Sequence, residues 1–115
     1  MVSATVQLIA QQNDQFRRGD PNVPGIRVIT AGLDHLLKRL DIPQAGLALK
    51  VAEFSDFTDA NDPHSEHDFG AFEFHGHKCF WKLDLYNTDY SMGCDDPTDL
   101  AKTRRVLTIM LAEEY

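Results

Sequence analysis

Only two cysteines occur in 115 residues. Cys79 falls in a stretch that reads as a strand and Cys94 in one that reads as a loop, so they make neither a disulfide framework nor a thiolate zinc pattern. Free thiols are expected. Long apolar runs are equally scarce. Nothing approaches a membrane span, and the start has neither a basic n-region nor an apolar run of signal-peptide length. A cytoplasmic setting with no membrane partner is expected. Glycine-rich phosphate loops, G-x-S-x-G elbows and paired Cys/His motifs are missing too, which removes the usual marks of nucleotide binding and nucleophilic catalysis. No cofactor is implied.

Basic charge is the last scarcity. Lys and Arg number 11 against 18 Asp and Glu, a net charge of −7, and the imbalance is local. From Glu53 to Asp99 twelve carboxylates face only Lys78 and Lys82, a balance of −10, whereas the flanks hold six acids and nine bases, a balance of +3. Direct nucleic-acid binding needs clustered cations that displace counterions from phosphates, and this centre would repel them. A basic protein surface is the complementary partner.

What remains is enough for one domain over residues 1–115, because this length and a hydrophobic content of 43% support a core without disulfide or metal staples. Ser3 caps a helix to about Arg18, with Val6, Ile9, Asn13 and Phe16 on one face and Gly19 as its stop. Residues 20–25 read as a loop and Ile26 to Thr30 as a strand ended by Gly32. Pro43 interrupts the helical pattern between Leu33 and Phe54, leaving a short helix near Asp34 to Leu40 and a second from Pro43. Leu47, Leu49, Val51 and Phe54 of the second are expected to be largely buried. Ser55 to Asp68 is the longest loop, with Asn61-Asp62-Pro63 as a turn.

Phe69 to Tyr86 reads as a β-hairpin around His75-Gly76-His77, with Phe72 and Phe74 alternating on one strand and Cys79, Trp81, Leu83 and Leu85 on the other. Asp96-Pro97-Thr98-Asp99 carries helix-start signals, and Leu100, Leu107, Met110 or Leu111, and Tyr115 supply the apolar face of a helix to the C-terminus. The fold class is α+β: a small antiparallel sheet with a central β-hairpin packed against N-terminal and C-terminal helices.

The densest polar cluster is His64-Ser65-Glu66-His67-Asp68, with His75 and His77 downstream. Imidazoles and carboxylates ligate zinc, manganese or iron, which makes His64 and His67 candidate metal ligands and the whole cluster a candidate hydrolase centre, although the order is not the H-E-x-x-H of zinc proteases. Side-chain to backbone hydrogen bonds holding a loop are the plainer explanation. Glu66 or Asp68 with His67 would be an acid/base pair, and Asp68, Glu73 and Lys82 a nuclease-like set. Trp81, Phe80, Phe72 and Phe74 suit either a stacking platform or a buried core, and acidic surroundings favour the core.

Asp56-Phe57-Thr58, Asn61 to His64, Glu66 to Glu73, Phe80-Trp81-Lys82 and Thr103 to Tyr115 together resemble an uncharacterised family of small bacterial proteins catalogued only as a domain of unknown function, over most of the chain from about Val6. The resemblance implies genomic company, short chains on plasmids and other mobile elements, and no chemistry. Acidic proteins in that company include anti-restriction and anti-CRISPR inhibitors that mimic the charge of DNA. Two functions are therefore carried forward. The first is a non-enzymatic interaction protein presenting Asp56, Asp59, Asp62, Glu66, Asp68, Asp89 and Asp95 to a basic partner, such as a nucleic-acid-processing defence complex. The second is the metal-binding protein or hydrolase. Acids that merely keep a small protein soluble are the alternative to the first.

Overall fold

In the computed structural model, which describes residues 2–115, Ser3 opens the first helix by accepting a hydrogen bond from the Val6 amide at 3.1 Å. This helix, α1, spans Ala4–Arg17. At its end Gly19, with φ of 92°, lets its own amide reach Phe16 and the Asp20 amide reach Gln15, closing the last carbonyls in a Schellman turn. Strand β1 (Gly25–Ile29) leads directly into α2 (Ala31–Arg39), so Gly32 sits in the first turn of a helix instead of ending a strand. Pro43 breaks the pattern as expected, and α3 spans Gln44–Glu53. Leu47 and Val51 of α3 are buried, but Leu49 is exposed and Phe54 is half-buried, because a helix lying on one sheet buries one stripe.

Strands β2 (Phe69–Phe74) and β3 (His77–Tyr86) form the hairpin. Its two-residue turn, His75-Gly76, has positive φ at both positions, the conformation that matches the right-handed twist of the strands it joins. At Gly70 a Cβ would lie 2.8 Å from Phe54 and closer still to the indole of Trp81, so the absence of a side chain is what lets the tryptophan cross the sheet.

The C-terminal segment corrects the expected helix. Residues 96–102 make only successive turns, with the Asp99 amide on Asp96 and the Lys102 amide on Asp99, and the chain then enters strand β4 (Arg104–Leu111). Arg105, Leu107, Ile109 and Leu111 are buried in alternation, and the β-branched Val106, Thr108 and Ile109 suit a strand better than a helix. Met110 is also buried, from the opposite face, and this burial on both faces imitates a helical stripe.

The sheet order is β1-β4-β3-β2. It is mixed, not wholly antiparallel: β4 pairs antiparallel with β3 but parallel with β1, since the chain returns to β1's neighbour only after both helices and the hairpin. The covered face aligns Trp81 with Ile109, Leu83 with Leu107 and Cys79 with Leu111. Phe16, Leu33, Leu36, Leu37, Leu47 and Val51 of the helices close the core over them. Ile26 and Val28 are exposed on the outer face, where Tyr115 meets Phe69 and Phe80 edge to face.

Candidate functional site

Between α3 and β2 the chain makes a wide loop whose shape is set by its own side chains. The Thr58 amide donates to Asn61 Oδ1 at 2.8 Å, the Asn61 amide to Thr58 Oγ1 at 3.3 Å, and Asn61 Nδ2 to the Asp56 carbonyl at 2.8 Å. Past Pro63 the backbone takes positive φ at Ser65 (58°) and His67 (55°), a conformation that costs free energy for non-glycine residues and persists only where neighbours hold it. They do so here. The His67 amide donates to Asp62 Oδ1 at 3.2 Å, its Nδ1 lies 3.0 Å from both carboxylate oxygens of Asp14, and its ring stacks on Phe57 at 3.9 Å with the planes 2° apart.

Helix α1 supplies the mount. Arg17 is fully buried, and its Nη1 donates to the carbonyls of Val51, Ala52 and Phe54 at 2.6, 3.3 and 2.8 Å, while its Nη2 donates to Asp14 at 2.8 Å. It thereby caps α3 and joins it to the carboxylate that holds His67, with its guanidinium over the rings of Phe57 and Trp81. One turn before Arg17, Asn13 donates to the Glu66 carbonyl (2.8 Å) and accepts from Arg105 Nε (2.7 Å). Arg105 Nη2 continues to Gln12 Oε1 (3.2 Å), and Gln12 Nε2 donates to the Thr98 carbonyl (3.1 Å). Two acidic loops, 54–68 and 87–103, are thus tied through one buried polar chain to the same helix. Arg105 has no carboxylate within ion-pair distance among the described residues, and burial pushes its guanidinium down to about 10, still well above neutrality.

The charge on the first loop is concentrated, not dispersed. Burial raises the pKa of Asp68, and the charges of Asp62 and Asp84 raise it further. Burial likewise raises Glu66, with repulsion from Asp68 and Asp62 adding to the effect. Neither Glu66 nor Asp68 has a Lys or Arg partner among the described residues, although Asp84 pairs with Lys82 at 3.1 Å. A carboxyl whose folded pKa exceeds its unfolded value binds its proton more tightly when folded. Folding is therefore penalised as pH rises through the unfolded value, fully so above the folded one. Asp68→Asn should raise the melting temperature at neutral pH by roughly 2–5 °C, and the gain should disappear near pH ~3, where the native carboxyl is protonated. A melting temperature lowered by this substitution would show that Asp68 is a structural anchor.

Among the residues singled out in the sequence, Asp56, Asp59, His64, Asp89 and Asp95 are exposed, and Glu66, His67 and Asp68 are half-buried. The Ser91 hydroxyl and amide donate to Asp89 and hold its carboxyl below the ordinary range. Asp62 is different: its side chain is 5% exposed, turned inward on His67, and it therefore belongs to the loop's framework rather than to a contact surface. The His67 partners are Asp14 and Asp62, not Glu66 or Asp68. No group of three or more His, Cys, Asp and Glu among the described residues could hold a metal ion, so His64, Glu66, His67 and Asp68 do not converge as a ligand set. Glu73 pairs across the hairpin with Lys78, while Lys82 faces Phe69, which keeps the nuclease-like set apart. Trp81, Phe72 and Phe74 line the covered face; only Phe80 of that group faces outward.

Sequence reading missed Asp14, Arg17 and Arg105. One signal was present: Asn13 falls on the apolar stripe of α1, and a polar residue in such a stripe asks for a buried partner.

A family model described as a protein of unknown function (DUF3768) matches residues 29–114. It begins at the end of β1, later than the Val6 suggested by resemblance, and takes in the acidic loops, the hairpin and β4. No curated protein and no solved structure matches the chain.

Proposed function

The chain belongs to the DUF3768 family, and we propose that it is a non-enzymatic interaction protein whose two acidic loops engage a basic surface on a partner protein. The observation that carries this reading is that the half-buried Glu66 and Asp68 have no Lys or Arg partner among the described residues, and that burial, with the charges of neighbouring acids, raises the pKa of both. Such an arrangement costs stability in the free protein, and an incoming Lys or Arg would relieve the cost. The exposed Asp56 and Asp59 of the first loop and Asp89 and Asp95 of the second extend the negative field over both, which favours fast, salt-sensitive association. In a bacterial cytoplasm, and in the company of mobile elements that resemblance suggests, a fitting partner is the basic groove of a nucleic-acid-processing defence complex, occupied in place of DNA.

A synthetic arginine-rich peptide is a direct probe. Titrated into the labelled protein, it should shift amide resonances in residues 53–68 and 84–99. Replacing Asp56, Asp59, Asp89 and Asp95 together by Asn should weaken binding about tenfold, mainly through slower association, and leave the melting temperature nearly unchanged, since exposed charges contribute little to stability. Raising salt on the native protein should reproduce the loss. Binding indifferent to both salt and these substitutions would leave the acids as solubilising groups.

A further inference from the structure

The edge of the sheet farthest from the hairpin carries a second surface of different character. Strand β1 lies at this edge with β4 on its inner side only. The Arg105 amide donates to the Pro24 carbonyl and the Thr30 amide to the Ile109 carbonyl. In a parallel ladder this fixes the parity: Pro24, Ile26, Val28 and Thr30 turn their backbone groups towards β4, and Gly25, Arg27 and Ile29 turn theirs outward. The outward N–H and C=O groups of Arg27 and Ile29 have no backbone partner among the described residues. An unpaired edge of this kind is a template for another strand.

Beside the edge is a cavity of about 510 Å³ between β1, α2 and α3, within the range of small-ligand and side-chain pockets. Leu47, Val51, Leu107 and Ile109 make its apolar wall. Three consecutive strand residues, Arg27, Val28 and Ile29, also border it. The cavity therefore runs alongside this stretch of the edge strand. Two charged groups border it as well. Asp34 is paired with Lys38 at 2.9 Å. Arg27 is exposed and has no carboxylate partner among the described residues: one Nη2 bond goes to the Phe16 carbonyl and its guanidinium lies over the Phe16 ring.

We propose that β1 accepts an extended segment of a partner polypeptide as a fifth strand, with an apolar side chain in this cavity and an acidic side chain against Arg27. Both contacts lie on the covered face, so the two recognised side chains are two residues apart in the segment, with the intervening residue on the outer face beside Val28. Main-chain bonds to Arg27 and Ile29 supply sequence-independent affinity, and the cavity and the arginine supply selection. The acidic loops and this edge are separate surfaces, so the proposal stands or falls independently of the basic-partner reading.

Selection of a random heptapeptide display library on the intact chain tests it. Enriched peptides should pair an aliphatic or aromatic residue with Asp or Glu two positions away. Binding should fall about tenfold or more for Ala48→Trp, which fills the cavity from the exposed side of α3, with folding checked by circular dichroism. Arg27→Gln should weaken an Asp-bearing peptide but not its Asn counterpart. N-methylation of the peptide supplies a test independent of any protein variant: blocking amides of one parity should abolish binding, and blocking the other should leave it intact. Peptides that tolerate both N-methylation patterns, or that shift only the acidic loops, would overturn the proposal. So would a failure to enrich any sequence on the native chain over Ala48→Trp, or occupancy of the cavity by a simple amphipathic carboxylate such as octanoate when no peptide binds there.

Discussion

Arg17→Met should remove about 3–5 kcal/mol of folding stability, the range expected when one member of a buried charged network is deleted and its partners stay behind. Methionine fills much of the space over Phe57 and Trp81, but it cannot donate to the carbonyls of Val51, Ala52 and Phe54, and it leaves Asp14 with His67 alone. Total stabilities of small domains are about 5–15 kcal/mol, so the variant should be marginal. Arg17→Lys should recover less than half of the loss, because one ammonium cannot reproduce a planar fork directed at α3 on one side and Asp14 on the other. Denaturant melts give the magnitude. Hydrogen exchange gives the location: amides of residues 55–68 should lose protection more than those of β3 and β4. A loss under about 1 kcal/mol would mean that water caps α3 equally well and that the loop does not depend on this arginine.

Leu107→Ala should cost about 2–5 kcal/mol. Leu107 is 1% exposed, opposite Leu83 in the register, on a strand with neighbours on both sides, so little can collapse into the space that truncation leaves. Trp81 lies one pair along on the same face and reports the change through its fluorescence. The mixed sheet adds a specific expectation: the loss should loosen β1 as well as β3, since β4 alone joins them, and Arg27 and Val28 should become more protease-sensitive. A midpoint unchanged by this substitution would be incompatible with a central β4.

These two sites mark where local pattern sufficed and where it did not. Helix α1 was legible because Ser3 and Gly19 act on their own backbone within a turn. The hairpin was legible for the same reason, since His75-Gly76 closes two alternating strands without help from elsewhere. The C-terminus was misread because its apolar spacing fits either a helix or a strand buried on both faces, and local cap signals at Asp96 to Asp99 favoured the wrong one. Only the neighbours decide between those periods. With β3 and β1 available on its two sides, the segment gains a complete ladder of hydrogen bonds that a helix at this position would leave unmade on both strands.

The candidate site divides in the same way. Composition by itself determined that residues 53–99 carry the negative charge, because charge is a property of the sequence and survives any fold. It also determined that the 55–68 segment would be a loop shaped by Asn61, Asp62 and Pro63. Tertiary structure alone decided which acids face solvent. Asp62 turned inward to His67, and Asp14, some fifty residues earlier, became the partner of the histidine. Asn13 and Arg105 met across the molecule and tied both loops to α1. Such pairings depend on distances between segments remote in sequence, and a burial cost that one residue cannot meet alone is settled only when the fold brings its partner within hydrogen-bond reach.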